Sequence, residues 1–129
     1  EGPLPRNLCN VTTNWPSLKT INLFNNRITG TIPEGLFGPA TLPVFHPRYN
    51  LQVLDLHNNM LTGTLPTRVT RADRMGAFLV NENRMSGGVP ATMVDWLVGV
   101  KYCSMGGNAW ACPVPANVTA NCQAYCKSA

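Results

Sequence analysis

Asp55 and His57 stand two residues apart, and Ser104 lies further along the chain. On an extended strand, residues two apart share a face. A carboxylate, an imidazole and a hydroxyl on one face are the raw material of an acyl-transfer triad, in which the carboxylate orients the imidazole and the imidazole takes the hydroxyl proton. That chemistry also needs a nucleophile turn and oxyanion donors, and no segment of the sequence supplies them. His46 and His57 lack metal-like spacing to any cluster of carboxylates. Glycine patterns of the phosphate-loop or dinucleotide type are missing too. The reading is therefore no catalytic residue, no metal and no cofactor.

The cysteines carry a different chemistry. Four of the five, Cys103, Cys112, Cys122 and Cys126, fall after residue 100. The C-x9-C-x3-C run from Cys112 is not the paired knuckle spacing of a zinc site. It reads as two disulfides formed in an oxidising compartment. Cys9 is left odd, either free or paired with a cysteine that is not in this sequence. Two N-x-T sequons, Asn10-Val11-Thr12 and Asn117-Val118-Thr119, point the same way and make Asn10 and Asn117 candidate N-glycosylation sites. No apolar run reaches ~18 residues, so the reading allows membrane attachment only through an anchor outside this chain.

At 129 residues the chain is one domain. Charged residues make up 12% of it, about half the typical ~25%. With 11 Gly and 11 Pro, a helix bundle is a poor fit. The formal net charge of +4 comes from scattered basic residues, whose tightest grouping, Arg68, Arg71 and Arg74, is interrupted by Asp73. No nucleic-acid motif accompanies it, and no nucleic-acid partner is expected.

The elements that must position these groups come from an internal repeat. Leu18-x-x-Ile21-x-Leu23-x-x-Asn26-x-Ile28-Thr29-Gly30-x-Ile32-Pro33 recurs as Leu51-x-x-Leu54-x-Leu56-x-x-Asn59-x-Leu61-Thr62-Gly63-x-Leu65-Pro66. It recurs more loosely from Met75 to Pro90, with Asn83 in the asparagine place, and in degraded form from Val100 to Trp110, with Asn108. Start-to-start spacings are 33, 24 and 25 residues; the first is long because of an insertion near Pro39 to Arg48. That insertion contains Phe45, His46, Arg48 and Tyr49, and a loop of this kind is a second candidate for binding. The opening Gly2-Pro3-Leu4-Pro5 matches the end of a repeat, which predicts that the chain begins inside one, with further repeats upstream.

In each copy, period-two alternation marks a short strand with one buried face. Each strand is too short to bury that face alone, so parallel copies must stack into one core. The recurring Asn must find partners where the chain turns inward. Trp110, Pro113, Val114 and the disulfides are the obvious material to close the stack. Cys103 sits at an inward-facing place, either as a small buried hydrophobe or, the preferred reading, paired with one of Cys112, Cys122 or Cys126.

The motif L-x-x-L-x-L-x-x-N-x-L-T-G-x-I-P resembles the plant-type leucine-rich repeat of plant receptor-kinase ectodomains, polygalacturonase-inhibiting proteins and trypanosomatid surface antigens. The resemblance implies a leucine-rich-repeat solenoid, with parallel β-strands on its concave face, an irregular or 3₁₀ convex side and a Cys-rich C-terminal cap. It also implies that the recurring Asn bonds to the backbone of adjacent turns. Residues 1–110 would hold one partial and about four full repeats, and 111–129 the cap. The concave face takes repeat position three (Thr20, Val53, Ala77, Tyr102), five (Asn22, Asp55, Leu79, Ser104) and seven (Phe24, His57, Asn81, Gly106). Asn22, Phe24, Val53, Asp55, His57, Leu79, Asn81 and Tyr102 are the candidate ligand-binding residues there. Ser104 would lie roughly 10 Å from the Asp55–His57 strand, too far for a triad. The function expected is extracellular or cell-surface recognition of a protein, a peptide or a glycan. A structural surface coat and a secreted enzyme inhibitor are the alternatives.

Overall fold

The computed structural model describes residues 2–3, 19–33, 51–67, 69 and 74–126. Cys9, Asn10 and the insertion near 39–48 therefore lie outside the described residues. In chain order the strands are β1 (Gly2–Pro3), β2 (Thr20–Asn22), β3 (Ile28–Thr29), β4 (Val53–Asp55), β5 (Ala77–Leu79), β6 (Ser86–Gly87), β7 (Tyr102–Ser104) and β8 (Ala109–Trp110). β2, β4, β5 and β7 form one parallel sheet in that order. Its register aligns Ile21, Leu54, Phe78 and Cys103, so the second residue of each strand points into the core. Leu54, Leu56, Leu61, Phe78, Val80, Met85 and Met105 are fully buried between successive turns. Burial of this apolar area, at about 25 cal/mol per Å², is what drives the stacking.

Past each strand, the recurring asparagine joins one turn to the next. Asn83 is typical. Its Oδ1 accepts the Leu61 N–H at 3.0 Å, and its Nδ2 donates to the carbonyls of Leu56, Val80 and Asn81 at 3.0, 3.1 and 3.3 Å. Asn59 and Asn108 repeat the scheme with Ile28 N–H and Met85 N–H. Among the described residues no buried side-chain polar atom lacks a partner.

The residue before each of these asparagines is left-handed: Asn25, Asn58, Glu82 and Gly107 have φ of 57°, 58°, 56° and 69°. Asn and Gly accept that conformation with little strain, whereas Glu does not. Gly63 needs its missing side chain for a second reason. A Cβ there would meet Thr31 Cγ2 of the preceding turn at 2.6 Å. Gly2 shares the left-handed φ of Gly30, Gly63 and Gly87, and β1 pairs with β3 in the same offset by which β6 pairs with β8.

On the convex side, a 3₁₀ turn at Ala91–Met93 runs into α1 (Val94–Gly99). A full helical turn there differs from the irregular or 3₁₀ backbone expected. Its cause is local: Met93 and Leu97, four apart, both bury completely, and Trp96 sets its ring edge-on to Phe78 at 5.3 Å.

The C-terminal end is closed by α2 (Ala116–Cys122), which buries Val118 and Cys122. Disulfides join Cys103 to Cys122 and Cys112 to Cys126. Met105 N–H donates to the Cys122 carbonyl at 2.7 Å, and Asn121 Nδ2 donates to the carbonyls of Leu97 and Val100, so the cap is hydrogen-bonded across the end of the sheet. Trp110 is fully buried with its Nε1 donating to the Met105 carbonyl, and Val114 packs partly on the core. Pro113 is exposed, contrary to expectation, whereas Val118 and Ala124 of the cap are fully buried.

Candidate recognition face

The register brings the expected rows together. Thr20, Val53, Ala77 and Tyr102 are neighbours across the sheet, and so are Asn22, Asp55, Leu79 and Ser104. Their exposure is less even than alternation suggests. Ala77 and Asp55 are buried, and Val53, Leu79, His57 and Asn81 are half-buried. Strands about 4.8 Å apart crowd one another's side chains, and a concave surface crowds them further. Of the candidate apolar residues, only Phe24 and Tyr102 are exposed, at 40% and 60%.

These two do not form one patch. Phe24 follows β2 at one edge of the sheet, and Tyr102 lies on β7 at the other, three strand spacings or roughly 14 Å away. Tyr102 has the Lys101 ammonium 5.3 Å from its ring centroid.

At the Phe24 edge the side chains are tied together. The Phe24 and His57 rings stack with centroids 4.9 Å apart and planes 8° from parallel. His57 Nδ1 lies 2.5 Å from Asp55 Oδ1, and the same oxygen accepts the His57 backbone N–H at 3.2 Å. Two contacts to one buried carboxylate oxygen, one from the ring and one from the backbone N–H, tie His57 to Asp55. This is a rigid aromatic pair with a polar tip. It cannot serve as a triad, because Leu79 stands between Asp55 and Ser104 in the register.

Around this pair the surface is amide-rich. Asn58 Nδ2 donates to Asn25 Oδ1 at 2.7 Å, and Asn25, Asn26, Arg27 and Asn58 line an open hollow of about 450 Å³. The sequence places Asn25, Asn58 and Glu82 only as flanks of the concave face. The hollow could have been anticipated only by noticing that Asn recurs at the place before the ladder asparagine.

The remaining candidates are dispersed. Asn117 is exposed, near the start of α2, and the Thr119 hydroxyl of the same sequon donates to the Ala124 carbonyl at 2.8 Å. No group of three or more His, Cys, Asp or Glu among the described residues could hold a metal ion. No helix among them is long and apolar enough to cross a membrane.

A family model described as Leucine Rich Repeat matches residues 17–38 and 50–71. No curated protein matches the chain. Among solved structures, the BIR3–SERK2 complex from Arabidopsis thaliana contains a chain 26% identical with a TM-score of 0.69, over 92% of this chain and 56% of that one. The BIR2 ectodomain from Arabidopsis thaliana is 25% identical with a TM-score of 0.68, over 90% and 54%. The Arabidopsis receptor kinase HAESA, in complex with the peptide hormone IDA and the co-receptor SERK1, gives 26%, 0.70, 93% and 18%. The chain thus spans about half the length of the first two and less than a fifth of the third. With its turns, asparagine ladder and glycine bends built as these observations require, the chain folds as a leucine-rich-repeat solenoid similar to plant receptor ectodomains.

Proposed function

We propose that the chain is a non-enzymatic recognition module of an extracellular or cell-surface protein, and that it holds a peptide or protein ligand on its concave sheet. Residues 1–110 form the recognition stack in this reading, and 111–129 form its cap. The observation that carries it is the Phe24–His57–Asp55 arrangement. An exposed aromatic ring, stacked on an imidazole tied to a buried carboxylate, is already ordered before any ligand arrives. Little side-chain entropy is then lost on binding, the condition under which an aromatic anchor contributes most. The likeness to solved plant ectodomains, one of them in complex with a peptide hormone, supports the same class of ligand. Two disulfides support an oxidising compartment.

The test is selection of a random displayed dodecapeptide library on the purified chain. Enriched peptides should bind Phe24→Ala and His57→Ala at least about tenfold more weakly, a loss of about 1.4 kcal/mol, and Tyr125→Ala unchanged. Tyr125 is exposed on the cap and belongs to no strand of the sheet. A library that yields no saturable binder, or binders indifferent to both sheet substitutions, would overturn the proposal.

A further inference from the structure

The hollow beside the ends of β2 and β4 has a chemistry that peptide recognition on the sheet face does not use. Among the described residues its lining is Asn25, Asn26, Arg27 and Asn58, all polar. Backbone demands explain part of this. Asn25 and Asn58 are left-handed, and Asn26 bonds back to the carbonyls of Leu23 and Phe24 at 3.0 Å. Nothing in the backbone calls for Arg27, which is exposed and has no carboxylate partner among the described residues.

The polar atoms around the hollow are mixed in sense. The Asn58 Nδ2 to Asn25 Oδ1 bond uses one atom of each amide. It leaves a donor, Asn25 Nδ2, and an acceptor, Asn58 Oδ1, for other partners. A hydroxyl donates one hydrogen bond and accepts two, so alternating amide donors and acceptors suit a polyol. A guanidinium with its fork of donors suits a carboxylate, which it can hold bidentately. About 450 Å³ is ample for one sugar ring.

We infer that this hollow is a subsite for a carboxylated sugar of the uronate type, in which Arg27 takes the carboxylate and the Asn25–Asn58 amide pair takes ring hydroxyls. The subsite is separate from the aromatic pair, and its failure would leave the peptide reading standing.

The experiment titrates the intact chain, followed by amide NMR shifts, with three small probes. Glucuronate carries both features, glucose keeps the hydroxyls without the charge, and cyclohexanecarboxylate keeps the ring and charge without the hydroxyls. Glucuronate should shift Asn25, Arg27 and Asn58 saturably, and each partial probe should bind at least about tenfold more weakly, glucose for want of the charge-assisted contact and cyclohexanecarboxylate for want of the hydroxyl contacts. Arg27→Gln should weaken glucuronate by a similar factor, while Tyr125→Ala leaves it unchanged. Equal binding of cyclohexanecarboxylate would reduce the site to a bare carboxylate contact and sink the sugar assignment. Equal binding of glucose, no saturable shift with any probe, or an indifferent Arg27→Gln would do the same. The three-probe comparison needs no variant, so it stands even if a substitution disturbs folding.

Discussion

Position eight of the repeat shows how a single residue type follows from a single backbone angle. Asn25, Asn58 and Gly107 occupy it with positive φ, and so does Glu82, the one residue of the four with no means of easing that strain. A side chain that bonds its own backbone, as Asn does, tolerates the left-handed region. Glu82→Asn should therefore stabilise the fold by about 0.5–1 kcal/mol. Chemical unfolding of the two chains measures this directly. The competing contact is the Glu82 carboxylate, which lies over Gly107 so closely that a Cβ there would come within 2.5 Å of its Oε1. An unchanged or lowered unfolding midpoint would mean that this contact outweighs the strain. The sequence shows Asn, Asn, Glu, Gly at these places, and their common backbone angle cannot be read from four unlike residues. They look like solvent-facing flanks of a binding surface, whereas the structure assigns them to the turn. Position nine was legible because Asn recurs without exception and an inward-turning amide has to be satisfied.

At the scale of the element, the short strands were legible and their connections less so. Alternation of apolar residues predicted each three-residue strand, and parallel stacking predicted the register that aligns Ile21, Leu54, Phe78 and Cys103. α1 was missed because plant-type repeats led to an irregular convex side, although Met93 and Leu97 already stood four apart. Disulfide connectivity was open for a general reason: four cysteines allow three pairings, and spacing does not choose among them. The structure pairs Cys103 with Cys122 because α2 lays its last turn against β7. What joins one turn to the next is the ladder asparagine rather than the strand itself. Replacing Asn83 with Ala would strand the Leu61 N–H and remove donors from three carbonyls in a buried setting. Its expected cost is about 2–4 kcal/mol, from the penalty of unpaired buried groups. Urea unfolding should show that loss, and a loss below about 1 kcal/mol would mean that water or a shifted backbone replaces the amide.

For the whole molecule, the consequence of stacking is that stability passes from neighbour to neighbour. β7 touches β5 on one side and α2 on the other, and β2 is three strands away from the cap. The buried Cys103–Cys122 bond closes a loop with a sequence separation of 19 residues and ties α2 to the last strand. Replacing both cysteines with Ser should destabilise the fold by about 3 kcal/mol on the chain-entropy account. The loss should also be graded in space. Amide exchange should rise most at Tyr102 and Met105, whose N–H groups bond to Gly76 and Cys122, less at Leu56, and least at Leu23. A uniform rise at all four would mean that the turns unfold as one unit, with interfaces strong enough to erase the one-dimensional order. Breaking the exposed Cys112–Cys126 bond instead should leave that gradient nearly flat. That bond fastens the tail beside Trp110 through a single bridge, and it does not hold α2 against the sheet.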